Sequence, residues 1–180
     1  MSRYLITSLL ASIVFFLPLC VQGQSQDNFT LTEVIKDYSP TKNQTTLRLP
    51  SSKLSGPKDR YHSLSYSIYS TFPGRDVTAA KDISFELVSV VKEGTLNTDL
   101  YVVFVVDGKE IHYSSNRSAI PKPVQGQPWI GERMVFSIPR DDFMKLAAAE
   151  RLAVKLGGVS FEFDDAARTA VFAFAKTIEQ

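Results

Sequence analysis

The chain has 180 residues, 44% of them hydrophobic, with 20 Lys and Arg against 19 Asp and Glu, a profile of about one globular domain. Arg3 is the only charged residue before Asp27, and without it the balance is 19 to 19 (20 less one). A neutral chain with no basic run argues against nucleic acid, since Lys and Arg on phosphate supply most of that affinity, and against firm attachment to an anionic membrane surface.

The first element in chain order is a targeting segment. Arg3 precedes an apolar stretch from Leu5 to Leu19, and Val21 and Gly23 put short residues at the −3 and −1 positions of a cleavage site. Residues 1–23 therefore read as a secretory signal peptide, its apolar core short of the roughly 20 residues that span a bilayer. Cys20, preceded by Leu19, is a poor lipidation site. Cleavage after Gly23 leaves a mature chain with no cysteine and no transmembrane segment, secreted or periplasmic, which excludes disulfides, thiolate–zinc sites and iron–sulfur clusters.

Residues 24–180 read as a single domain. Phe29 to Tyr38 is expected as a first strand, and Thr45 to Leu49 as a short one stopped by Pro50. From Tyr61, Leu64, Tyr66 and Ile68 alternate with Ser63, Ser65 and Ser67, the period of a half-buried strand with a row of hydroxyls outside. Ile83, Phe85 and Leu87 continue the alternation and run on to Val91. Leu100 to Val106 is apolar without interruption, which predicts a strand covered on both faces. Asp107-Gly108 then supplies the positive φ angles of a two-residue hairpin leading into Glu110–Tyr113.

Ser114 to Ile130 lacks periodicity and holds Pro121, Pro123, Pro128 and the only tryptophan, Trp129. A connection that long is more often functional than accidental. Met134, Phe136 and Ile138 alternate again. Pro139 precedes a short helix near 140–148, with Asp141 and Asp142 read as caps. Leu152, Val154 and Leu156, the Gly157-Gly158 turn, and Val159, Phe161 and Phe163 form a second hairpin. Asp164 caps a helix near 164–178 whose Ala167, Val171, Phe174, Ala175 and Ile178 share one face, while Thr169, Ala173 and Lys176 face away.

Catalytic and metal signatures are sparse. There is no G-x-S-x-G elbow, glycine-rich phosphate loop or H-E-x-x-H. His62 and His112 read as ordinary sheet residues, since a metal site needs three or four convergent ligands. Ser63 is expected on the opposite face from His62. Asn28, Asn43 and Asn116 match the glycosylation acceptor pattern, which is short enough to arise by chance. The one surface that competes as functional is Asn116, Arg117, Trp129 and Arg133, because a large ring beside a planar cation is the usual chemistry of a binding hot spot; the competing reading has Trp129 plug the end of the sandwich and Arg133 pair with Glu132 or a neighbour.

The segment FSIPRDDFMKLAAAERLAVKLGGVSFEFDDAARTAVFAFAK resembles the closing module of secreted bacterial β-sandwich families of unknown function. It is also loosely similar to the ends of invasion-associated-locus-B-like and type-VI-secretion-associated periplasmic proteins, which commonly use cysteines absent here. The resemblance covers about the last third of the mature chain and implies an exported, non-catalytic bacterial domain; it supplies no functional residue. The expected fold is mainly β, an antiparallel β-sandwich-like single domain of roughly seven to nine strands closed by the C-terminal helix. The expected role is non-catalytic binding or structural support in the bacterial periplasm or cell exterior, with another envelope or extracellular protein as partner and no cofactor. The alternative is a carrier that holds a small apolar ligand between its sheets.

Overall fold

A computed structural model describes residues 33–57, 61–92, 101–114, 122–123 and 129–179. The proposed signal peptide, Asn116 and Arg117 lie outside the described residues. The described chain is mainly β: ten strands in two antiparallel sheets, with two helices. The larger sheet has the order β1(Ile35–Ser39), β2(Gln44–Lys53), β3(Tyr61–Pro73), β4(Asp82–Lys92), β8(Trp129–Pro139), β7(Lys122–Pro123). The smaller sheet runs β10(Val159–Glu162), β9(Leu152–Leu156), β5(Tyr101–Val106), β6(Lys109–Ser114). Helix α1 is Arg140–Ala147 and helix α2 is Asp165–Glu179. The antiparallel sandwich-like architecture and its C-terminal helix are those expected from the sequence.

The inward face of the large sheet presents Leu47 and Leu49 from β2, Tyr66 and Ile68 from β3, Ile83, Phe85 and Leu87 from β4, and Met134, Phe136 and Ile138 from β8, all buried. Register makes this one continuous surface: Phe85 lies opposite both Ile68 and Phe136, and Leu87 opposite Tyr66 and Met134. The small sheet covers part of it through ring contacts. Phe104 meets Phe85 edge-on with centroids 5.0 Å apart, and Phe161 meets Tyr61 at 5.2 Å. Such edge-to-face pairs are the favoured aromatic geometry. The two helices cover the remainder, with Phe143 of α1 edge-on to Phe174 of α2 at 5.8 Å. A reciprocal backbone pair, Ser55 with Glu162, stitches the end of β2 to β10 and joins the two sheets at one corner.

Local sequence accounts for the turns. Asp107 and Gly108 take φ of 49° and 84°, and Gly157 and Gly158 take 54° and 81°, the left-handed pair that matches strand twist in a two-residue hairpin. Asp164 caps α2, its Oδ1 accepting from the Ala167 amide at 2.8 Å. The face of α2 that carries Ala167, Val171, Phe174, Ala175 and Ile178 is buried, as periodicity requires.

Four local expectations are corrected. β2 does not stop at Pro50 but continues to Lys53, because a register shift between Leu49 and Ser52 accommodates the proline where no ladder amide is required. The run from Tyr101 is covered on both faces only in its middle: Val102, Val103 and Phe104 are buried, but Tyr101 is 50% exposed and Val105 and Val106 are half-buried. The aperiodic connection is also shorter than expected, since Ser114 closes β6, Lys122–Pro123 pairs with β8, and Trp129 opens β8 opposite Lys92. Finally, Asp141 and Asp142 do not cap α1 through their side chains; Pro139 occupies the cap, and Asp142 pairs with Lys145 one turn on at 2.8 Å.

Candidate binding face

The outward face of the large sheet is built by the residues that alternate with the core. Along β3 these are Ser63, Ser65, Ser67 and Tyr69; along β4, Ser84, Glu86, Val88 and Val90; along β8, Arg133, Val135 and Ser137. Register sets them in rows across the strands. Arg48, Tyr69, Ser84 and Ser137 form one row, and Lys53, Ser65, Val88 and Arg133 another. No described element packs over this face.

Of the four residues singled out from sequence, Arg133 is the one whose side chain is described. Its guanidinium donates to both carboxylate oxygens of Glu86, Nε to Oε1 at 2.8 Å and Nη2 to Oε2 at 2.6 Å. This fork fixes the plane of the cation as a single bond could not, and it holds the Arg133 pKa above its ordinary value, helped by the Tyr69 hydroxyl nearby. The partner is Glu86 on the adjacent strand rather than Glu132, which lies on the inward face, 1% exposed, and accepts from the buried Ser89 hydroxyl at 2.9 Å. Trp129 is placed by its backbone at the start of β8, four residues before Arg133. The structure therefore assembles Arg133 with Glu86 and Tyr69, two residues that sequence reasoning did not select. Sequence carried one signal for this face, the serine alternation along β3; the strands that pair Glu86 with Arg133 lie 47 residues apart in the chain.

A register shift between Tyr61 and Ser63 corrects the expected placement of the first histidine. Tyr61 and Leu64 are buried while His62 and Ser63 both remain accessible, and both line a corner cleft of about 520 Å³ with Lys53, Gly56 and Phe161. His112 is exposed on β6, 3.8 Å from Glu110 and on the other sheet from His62. Glu110 also pairs with Lys155, first by hydrogen bond and then by charge, which lowers its pKa. Among the described residues, no group of three or more His, Cys, Asp or Glu is placed to hold a metal ion.

A second cleft, of about 710 Å³, opens between the small sheet and the start of α2. Glu150, Arg151, Glu162, Asp164, Asp165 and Arg168 rim it. Three of these six charges are already committed: Arg168 donates to Asp165 and to the Ala149 carbonyl, and Asp164 caps the helix.

No family model, curated protein or solved structure matches the chain. Among the described residues, no helix is long and apolar enough to cross a membrane.

Proposed function

We propose that the chain is an exported, non-catalytic binding module of the bacterial periplasm or cell exterior, and that it binds through the outward face of its large sheet. The observation that carries this reading is the contrast between a filled interior and a polar face that no described element covers. Between the layers, Tyr66, Phe85, Phe104 and Phe163 touch one another with centroids 4.9 to 6.2 Å apart. A packed ring cluster there favours a binding face outside over an apolar cargo inside. Export rests on the signal-like residues 1–23, and kinship with secreted bacterial β-sandwich families belongs to the same proposal.

Enrichment from an envelope fraction on immobilised mature protein tests the reading. The expected result is a component retained by the wild type and lost when Ser65→Leu fills the outward face. Equal retention by both proteins, or none by either, refutes it. Intact mass of the exported protein tests the export half: cleavage after Gly23 is expected, and a lipid-modified Cys20 overturns it.

A further inference from the structure

We infer that the strip along the outward side of β3 is a subsite for a neutral, linear glycan; this rests on the binding-face reading above. Ser63, Ser65 and Ser67 are short side chains in a central strand, with taller neighbours along the β4 side and, on the β2 side, beside Ser65 and Tyr69, where Pro50 and Ser51 fill the register shift next to Ser67. On the β2 side stand Arg48 and Lys53, and on the β4 side Glu86, Val88 and Val90, fixed by the pairings of Lys53 with Ser65 and of Ser65 with Val88. The result is a low strip running from Ser63 to Tyr69, about 20 Å at strand rise.

Serine is a poor residue for the middle of a strand, where Thr or Val packs better on a pleated surface. Three in succession on one side keep the strip low and hydroxyl-lined at a cost in strand propensity. Ser65 donates to the Val88 carbonyl at 3.3 Å. The hydroxyls of Ser63, Ser67, Ser84 and Ser137 have no protein partner among the described residues, so each retains donor and acceptor capacity.

The chemistry of the rim selects among ligand classes. Arg133 is neutralised by the Glu86 fork, and Asp37 lies in register with Thr46 on the same side as Arg48, which leaves Lys53 as the one unbalanced charge among these residues, too little to draw a polyanion or a polycation. A protein partner would be anchored by a desolvated aromatic or apolar centre, whereas the centre here is a row of serines. An extended peptide adds to a sheet through free backbone groups at an edge, and the middle of a face presents side chains alone. A sugar ring offers what this surface complements: hydroxyls at its edge for the serines and the Arg133–Glu86 plane, and a C–H face for Val88, Val90 and the Tyr69 ring.

Isothermal titration of the mature protein with cellohexaose, N-acetylchitohexaose and maltohexaose, at matched ionic strength, tests the inference. Binding of at least one hexasaccharide is expected, insensitive to added salt. Ser65→Leu and Tyr69→Ala should each weaken it by tenfold or more, while His112→Ala on the other sheet leaves it unchanged. Thermal unfolding of each variant, expected within a few degrees of wild type, separates loss of the subsite from loss of the fold. Silence with all three sugars overturns the inference, as does binding that survives both face variants in folded protein. If the sugars are silent but Ser65→Leu still abolishes envelope enrichment, the binding face stands and the ligand class is wrong; if both assays are silent, the face itself is refuted.

Discussion

The inward side of β3 places Tyr61, Leu64, Tyr66, Ile68 and Phe72 in the core, each no more than 2% exposed. Its outward side, on the same backbone, places Ser63, Ser65, Ser67 and Tyr69 at the surface. The inward set is large, apolar and in mutual contact, so each member carries a share of the fold's stability. The outward set is small and polar, and nothing in the sandwich requires it to be serine. Where stability leaves a choice open and the chain uses a weak strand former, the choice reflects something other than folding. The contrast separates the positions where substitution should unfold the protein from those where it should change only what the protein touches.

The largest expected effect lies on the inward side. Phe174 is fully buried in α2 against Phe143, and Phe174→Ala should cost about 3–5 kcal/mol in denaturant unfolding, as for other core aromatics. Removing 166–180 altogether should uncover the apolar face that α2 protects and produce aggregation. A truncated chain that stays monomeric with an unchanged melting temperature would make α2 an appendage and move the core boundary to β2 and β3.

Much of this inward layer was legible because it is periodic. The Leu64, Tyr66, Ile68 alternation, the two hairpin dipeptides and the 3.6-residue spacing on α2 each depend on a few adjacent residues, so local pattern suffices. What was illegible depends on partners distant in sequence. An uninterrupted apolar run such as Tyr101–Val106 looks the same whether one or both faces are covered. The register shifts at Leu49/Ser52 and Tyr61/Ser63 arise from how three strands fit together, and they reverse the expectations for Pro50 and for His62 beside Ser63. The candidate face suffers the same limit. Arg133 was chosen for its chemistry, while Glu86 and Tyr69, which orient it, become neighbours only once β3, β4 and β8 are laid side by side.

An intermediate effect is expected at the corner that joins the sheets. A Cβ at Gly56 would fall 2.3 Å from the nearest carbon of the Phe161 ring, a side chain only 2% exposed. Gly56→Ala must therefore displace a packed ring and should cost about 1–3 kcal/mol, the range for overpacking. Unchanged stability would mean that the Ser55–Glu162 stitch yields easily and that the two sheets are less tightly joined than the two faces of β3 suggest.

Smaller effects centre on the start of α2. Asp164→Ala removes the cap on the Ala167 amide and should cost about 1 kcal/mol. The same carboxylate lies near Tyr66, whose pKa is pushed up to about 12, first by burial and then by the Asp164 charge. A raised tyrosine pKa favours the protonated native state, so its stabilising contribution is complete below pH 10 and is lost as pH rises from about 10 to 12. Tyr66→Phe should flatten that alkaline loss at a cost of about 1 kcal/mol near neutrality, where the hydroxyl donates to the Ala167 carbonyl at 3.3 Å. Some slope should persist, because burial also lifts Tyr113 to about 12. An ultraviolet titration in which every tyrosine ionises near 10 would contradict the buried placement of Tyr66.

The smallest expected change in stability bears most directly on the contrast between the faces. Ser67 lies on the outward side of β3 opposite Glu86, and its hydroxyl has no protein partner among the described residues. Valine at this position should be accepted without backbone adjustment, and β-propensity favours it by up to about 1 kcal/mol. Ser67→Val should therefore leave thermal stability unchanged or raise it slightly, while weakening capture of whatever the face binds. Such a result would identify a position where strand propensity is traded for surface chemistry, as expected of a functional site. A loss of more than about 1 kcal/mol would instead mean that the serine row serves the packing of β3 between its neighbours, and the outward face would then be as structural as the inward one.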